Sequence, residues 1–183
     1  MTWMDRWIQR QRLNQAIRHI PPGVHVLDIG CHRGELFQAM GNRLGKGFGM
    51  DPLMPGTLEK QRFTLIKGDF PADWMMKTKM NCVTLLAVLE HIPADQQAAT
   101  AKMIFDLLIP GGLVILTVPS KKTDGLLTVL HRLGIIRGMC LEEHYGFDPA
   151  DTKQLFEEAG FTLMKHRTFQ FGLNNLFVFE RKG

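Results

Sequence analysis

The sequence predicts an α/β fold: a seven-stranded, mostly parallel sheet with helices on both faces and an antiparallel last strand. Three observations predict it. Short runs, several apolar throughout, alternate with stretches whose apolar residues recur every three or four positions. Polar residues and glycines collect at the ends of those runs (Asp28 and Gly30, Asp51, Asp69, then Glu90 and His91), where an open α/β sheet binds its ligands. The last two runs are joined only by Gly172-Leu173-Asn174-Asn175, too short for a crossover helix, which makes the closing pair antiparallel.

Each element has a local cause. Met4, Trp7, Ile8, Leu13, Ala16, Ile17 and Ile20 carry helical spacing over residues 1–20, and Pro21-Pro22-Gly23 stops that helix. Val24 to Ile29 reads as the first strand and Gly30 to Gly34 as a turn; Leu36, Phe37, Met40 and Leu44 mark the inner face of the next helix, which Gly45 ends. Strands follow at Gly47–Met50, Phe63–Ile66 and Cys82–Leu86, then a helix from about Asp95 to Leu108. Pro110-Gly111-Gly112 turns the chain into a fifth strand, Leu113–Val118. Residues 120–147 (Leu126, Leu127, Leu130 and Leu133, broken by Gly134 and Gly138) read as an insertion over one edge of the sheet. Asp148-Pro149 supplies an N-cap and a first helical position, Gly160 ends that helix, and Phe161–Thr168 and Leu176–Arg181 are the last two strands.

Composition bounds the class. The 183 residues, 45% apolar and 22% charged, describe one globular domain over 1–183 with no need of a staple, and exclude a collagen, coiled coil, repeat array or disordered chain. The 22 basic and 18 acidic residues leave +4, too small a surplus to argue for nucleic acid. Cys31, Cys82 and Cys140 have no CxxC spacing, so neither a disulfide framework nor a zinc knuckle is indicated. No apolar run reaches the length of about 18 residues that spans a bilayer. Met1 to Trp7 lacks the apolar stretch of a signal peptide. A soluble cytoplasmic protein with no membrane partner is expected.

The turn from Gly30 to Gly34 lets backbone approach a ligand and places N–H groups at a helix start. Asp51, 23 residues beyond Asp28, ends the second strand, where an acid can accept both hydroxyls of a ribose. A nucleoside-containing cofactor follows.

The segment Val26-Leu27-Asp28-Ile29-Gly30-Cys31-His32-Arg33-Gly34 resembles the first motif of class I S-adenosylmethionine-dependent methyltransferases, D/E-x-G-x-G-x-G. Asp51 matches that family's ribose-binding acid, and Gly68-Asp69-Phe70 resembles the segment framing the adenine. Leu86-Ala87-Val88-Leu89-Glu90-His91-Ile92 resembles the motif after strand four, and Leu108-Ile109-Pro110-Gly111-Gly112 the turn before strand five. The resemblance implies a Rossmann-like fold, S-adenosyl-L-methionine as cofactor, S-adenosyl-L-homocysteine as product, and methylation of an unidentified small-molecule acceptor. It implies cofactor contacts from Asp28, Gly30, Cys31, His32, Gly34, Asp51, Pro52, Gly68, Asp69, Phe70, Leu86, Ala87 and Glu90, with Asp28 ordering the glycine loop. The departure is His32, where the family has its middle glycine; its side chain either turns to solvent or meets the cofactor carboxylate.

In one branch of that family E-x-x-E-H supplies metal ligands. Here Ala87 replaces the first Glu, so no metal is expected, and Glu90, His91 and His144 are the weak alternative set. His144, before the last helix, is the candidate general base. The acceptor pocket is expected under a roof of the N-terminal helix, with Trp3 and Trp7, and of residues 120–147 acting as a lid. A non-catalytic S-adenosylmethionine-binding or regulatory module with a degenerate glycine motif is the alternative. An NAD-dependent oxidoreductase fits poorly, since the G-x-G-x-x-G spacing and a Tyr-x-x-x-Lys pair are both missing. Nucleic-acid methylation is disfavoured, because the N/D-P-P-Y/F motif is missing and no basic stripe is evident. Monomer and homodimer remain open.

Overall fold

The computed structural model describes residues 3–120 and 148–183, apart from the side chain of Met4. Helix α1 (Trp3–Ile17) leads into β1 (His25–Ile29), α2 (Glu35–Met40) and β2 (Lys46–Asp51). Then come β3 (Leu58–Glu59), β4 (Phe63–Lys67), β5 (Met80–Leu86), α3 (Ala94–Leu107) and β6 (Leu108–Pro119). Beyond residue 148 follow α4 (Asp151–Glu158), β7 (Phe161–Phe169) and β8 (Asn174–Arg181).

The sheet runs β3-β4-β2-β1-β5-β6-β8-β7. Strands β4, β2, β1, β5 and β6 are parallel neighbours, and β8 is antiparallel to both β6 and β7. The expected antiparallel last strand is thus found, slotted between its two partners. The strand count is a correction: among the described residues the sheet has eight strands rather than seven. The extra strand, β3, is two exposed residues paired antiparallel with β4 at Leu58↔Leu65 and Glu59↔Thr64. A strand that short shows no alternation to read.

Strand alternation divides the core in two. Leu27, Ile29, Val83 and Leu85 face α3 and α4, meeting Ile104, Phe156 and Phe179. Val26, Cys82 and Ile115 face α1 and α2, meeting Ala16, Ile20, Leu36 and Phe37. Asp28 shares its side of β1 with Val26, so it points toward the α1–α2 layer. Arg181 pins the end of β8 by donating to the carbonyls of Phe105 and Leu108, with its guanidinium 4.5 Å from the Phe105 ring centroid.

Several boundaries differ from the sequence reading. Gly41, at φ 54, ends α2 early, and Gly41–Arg43 form a 3-10 turn that still delivers Leu44 to the core. Helix α4 begins at Asp151, because Asp148 spends its cap one turn earlier, its Oδ1 accepting from the Ala150 N–H at 3.0 Å. The Pro110-Gly111-Gly112 turn is an irregularity inside β6, whose pairing with β5 shifts register between Met80 and Cys82. Trp7, one of the residues that carry the helical spacing of the first helix, is exposed. Residues 121–147, hence Cys140, His144, Tyr145 and nearly all of the expected lid, lie outside the described residues.

Candidate active site

The sheet changes direction of progression at β1, which pairs with β2 on one side and β5 on the other. A cleft of about 200 Å³ opens at the carboxyl ends of these strands, lined by Asp28, Gly30, Cys31, His32, Leu86 and Ala87 with Gln9, Arg12 and Leu13 from α1 and Glu35 and Leu36 from α2. Six of the residues singled out by sequence therefore meet in one place.

Backbone geometry shapes the floor. Gly30 has φ 72, and a Cβ there would sit 2.3 Å from Cγ2 of Val88, so glycine is required for both conformation and space. Its N–H donates to the Met50 carbonyl at 2.8 Å, tying the loop to β2. His32 and Ala87 also take left-handed conformations, at φ 45 and 61. His32 thus adopts the conformation expected of a glycine, and the turn survives the substitution. Its ring is half-exposed, with Nδ1 2.8 Å from Oε1 of Glu35. Gly34, at φ 74, packs against Phe63 and Leu65 and starts α2, so it shapes the turn without lining the cleft.

Asp51, only 8% exposed, accepts two backbone N–H groups: His32 at Oδ2 (2.9 Å) and Leu53 at Oδ1 (2.8 Å). Each carboxylate oxygen keeps lone-pair capacity for a further donor. Pro52 follows it at the surface. At the end of β4, the Gly68 N–H donates to the Asp51 carbonyl at 3.3 Å. The Asp69 side chain is exposed while its N–H donates to Asp73 at 2.9 Å. Phe70 is half-buried, 6.3 Å from the Trp74 ring. Asp69 and Phe70 stand beside Asp51's strand end and do not line the described cleft.

Two further carboxyl groups are buried here. Asp28 sits directly across from Thr84 in the β1–β5 register and accepts its hydroxyl at 2.6 Å. Burial, reinforced by the charges of Glu35 and Asp51, pushes the Asp28 pKa up to about 7, against the lowering effect of Thr84. Glu90, 2% exposed on the turn Leu89–His91, has Oε2 without a hydrogen-bond partner among the described residues. Burial raises it to about 7, while the Arg12 guanidinium nearby opposes the shift. Arg12 in turn is pushed below its usual pKa by desolvation, with Glu90 supporting its charge, and its Nε donates to Asn174 at 3.4 Å. Cys31 is a buried thiol raised by desolvation, which makes it a poor nucleophile.

His91 is exposed while Glu90 is turned inward, and no group of three metal-ligating side chains gathers among the described residues. The residues that sequence reasoning missed are Gln9, Arg12, Leu13, Glu35, Leu36 and Thr84. Arg12 had a signal: a cation between Ile8 and Ala16 on the helix face otherwise read as apolar. The helix does wall the cleft, through Gln9, Arg12 and Leu13, whereas Trp3 and Trp7 are not among the lining residues.

Sheet order, a cleft at the switch point and an acid closing β2 define an α/β domain built for a nucleoside-containing cofactor. The methyltransferase-domain family matches residues 4–166, and the chain belongs to it, as a class I S-adenosylmethionine-dependent methyltransferase domain. A ubiquinone biosynthesis O-methyltransferase of Psychrobacter arcticus is 29% identical over 155 residues, 76% of this chain and 60% of that protein. One of Xanthomonas campestris pv. campestris is 30% identical over 112 residues, 56% of this chain and 46% of the relative. The chain thus spans between 46% and 60% of the length of these relatives. Among solved structures, the 1,6-didemethyltoxoflavin-N1-methyltransferase of Burkholderia thailandensis superposes with TM-score 0.73 at 16% identity, over 99% of this chain and 81% of that one. The magnesium protoporphyrin IX methyltransferase of Synechocystis gives 0.68 at 19%, over 95% and 84%.

Proposed function

We propose that this chain transfers the methyl group of S-adenosylmethionine to a small-molecule acceptor, an oxygen nucleophile being favoured by the O-methyltransferases among its relatives. The observation that carries the reading is the bond between the His32 N–H and Asp51, which ties the acid ending β2 to the glycine loop, with His32 lining both the cleft and the adjoining hollow that Asp51 lines.

The residues present fit the cofactor. Asp51 offers both carboxylate oxygens to vicinal ribose hydroxyls. Arg12, a desolvated cation in the wall of the cleft, matches the carboxylate of an amino-acid moiety and replaces the water it has lost. Gly30, Cys31, Leu86 and Ala87 give the apolar and backbone lining between those two ends. Gly68, Asp69 and Phe70 flank the position of the base, and the charge of Glu90 supports that of Arg12. When bound, the sulfonium supplies an activated methyl carbon: the acceptor's bond to it forms as the carbon–sulfur bond breaks, and sulfur keeps the electron pair as a neutral thioether.

The protein's task is then chiefly alignment and exclusion of water, the source of most of the rate gain in such reactions. A hydroxyl acceptor must also lose its proton, and His144, placed by sequence just before α4, is the candidate base. The acceptor would enter between α1 and the 120–147 segment. The location we assign is the cytoplasm. Among the described residues no helix is long and apolar enough to cross a membrane. The test is transfer of a labelled methyl group to a panel of phenols, catechols, amines and thiols. Labelling of an oxygen acceptor by wild type, and its loss in Asp51→Ala, is expected. Failure on every acceptor by protein that binds S-adenosylhomocysteine would favour the non-catalytic module instead.

A further inference from the structure

The outward face of α1 is unusual for a protein whose net charge is only +4. Trp3, Arg6, Trp7, Arg10, Asn14 and Arg18 recur every three or four residues, Arg18 in the turn just past the helix, and all six are exposed. The stripe holds two indoles and three guanidinium groups and no acid; Asp5, the helix's one carboxylate, is buried. Trp3 is 69% exposed and Trp7 45%.

Strand β7 extends this face. Lys165 and Arg167 share the side of the sheet that α1 covers, on which Phe169 packs with Ala16 and Ile20. The charges of Arg18, Lys165 and Arg167 all bear on His19 and, after desolvation, hold its pKa below the ordinary value, so they converge at one end of the helix. Among the described residues none of Arg6, Arg10, Arg18, Lys165 and Arg167 is in an ion pair.

The turn between β7 and β8 adds a third aromatic ring. Phe171 is 99% exposed, and both Gln170 (φ 51) and Phe171 (φ 57) are left-handed without being glycine. Strain of this kind persists only where surrounding contacts hold it. Here Gln170 is held by donating to the Ile8 carbonyl of α1 at 3.1 Å and accepting from Asn174. Phe171 is thereby fixed beside the N-terminal half of α1.

We propose that the outer face of α1, with the Gln170–Gly172 turn, docks on an anionic phospholipid bilayer. Aromatic rings that seek the headgroup level, carried beside arginines that pair with phosphate, are the chemistry of a helix lying on such a surface. The face is a convex helix without a groove to track a phosphodiester chain, which argues against nucleic acid. Two copies meeting through it would set Arg6 and Arg10 against like charges. The absence of a spanning segment, from which the sequence excluded a membrane partner, does not bear on docking of this kind. On the methyl-transfer reading, Gln9, Arg12 and Leu13 of the same helix would bring the cleft to the bilayer, where an amphiphilic acceptor resides; the docking itself does not depend on that reading.

The test is co-sedimentation of the full chain with vesicles of phosphatidylcholine and phosphatidylglycerol in equal parts, and of phosphatidylcholine alone. Wild type should partition to the anionic vesicles, less so as salt rises, with a blue shift in tryptophan emission. The pair Arg6→Glu with Arg10→Glu should weaken partition at least about tenfold, and Trp3→Ser with Phe171→Ser should weaken it as well and reduce the blue shift, Trp7 remaining as reporter. Titration with S-adenosylhomocysteine, unchanged in both double variants, separates lost docking from lost folding and from failure of the cofactor assignment. No partition by wild type, or partition that neither double variant weakens, overturns the proposal. So does an RNA oligonucleotide or a second copy of the chain binding through the same arginines while vesicles do not.

Discussion

The backbone N–H of His32 donates to Oδ2 of Asp51 across 2.9 Å, joining the glycine loop after β1 to the acid that ends β2. The bond exists because His32 holds φ 45. A left-handed L residue costs about 1–2 kcal/mol, and the loop accepts that cost in place of a glycine. Asp51 therefore has two duties: it fixes the turn through His32 and Leu53, and it lines the hollow that adjoins the cleft at His32, where its remaining lone pairs can take a further donor.

His32→Gly follows directly. Relief of the left-handed conformation, roughly 1–2 kcal/mol, is offset by the extra backbone freedom of unfolded glycine, roughly 0.5–1 kcal/mol. Stability by urea titration should stay within about 1 kcal/mol of wild type, and affinity for S-adenosylhomocysteine should be unchanged. A tenfold fall in affinity would show that the imidazole itself contacts the cofactor.

Gly30→Ala should do real damage. The new Cβ meets Val88 Cγ2 at 2.3 Å and sits at φ 72. Strain and overpacking together cost about 2–4 kcal/mol, and Val88 adjoins the cleft residue Ala87. An unfolding midpoint equal to wild type, with cofactor binding intact, is the outcome this geometry forbids.

Arg12 gives a chemical discrimination. 5′-Methylthioadenosine keeps the nucleoside and thioether of S-adenosylhomocysteine but lacks the amino-acid carboxylate. Wild type should bind S-adenosylhomocysteine at least about tenfold more tightly, as a charged hydrogen-bonded pair is worth roughly 1.5–3 kcal/mol. Arg12→Leu should bind the two alike. A preference that survives the substitution would remove Arg12 from the site.

The buried acids set a pH dependence. Asp28 and Glu90 have folded pKa values near 7, above their unfolded values. Between about pH 4 and 7 the folded state keeps protons that the unfolded state has released, so stability is fullest below that window and is lost as pH rises through it. Thermal melts should give a higher Tm at pH 5 than at pH 8. Asp28→Asn and Glu90→Gln, which stay neutral, should each flatten the profile. A Tm that rises across this range would contradict the assignment.

Much of the site was legible because strand ends announce themselves: Asp28, Gly30, Asp51 and Leu86 all lie at or next to the end of a strand, and β1, β2 and β5 bring those ends together. The wall that α1 gives the cleft was not legible, for a physical reason. Ala16 and Ile20 pack on the sheet, and continuing that face back along the helix reaches Arg12, Gln9 and Asp5, not Trp7. The inner face turns polar where it meets the cleft, so apolar spacing alone did not show that Gln9, Arg12 and Leu13 form its wall. Strand β3 and the Asp28–Thr84 bond were hidden for other reasons. The first is too short to have a period, and the second is a register contact between strands far apart in sequence.

The central claim is that Asp51 and the Gly30–His32 loop hold S-adenosylmethionine. Calorimetric titration with S-adenosylhomocysteine, on wild type and on Asp51→Ala of matched secondary structure, tests it most directly. Wild type should bind one equivalent with micromolar affinity, and the variant should lose at least about tenfold, the worth of two hydrogen bonds to a charged acceptor. Folded wild type that does not bind, or a variant that binds equally well, would contradict it.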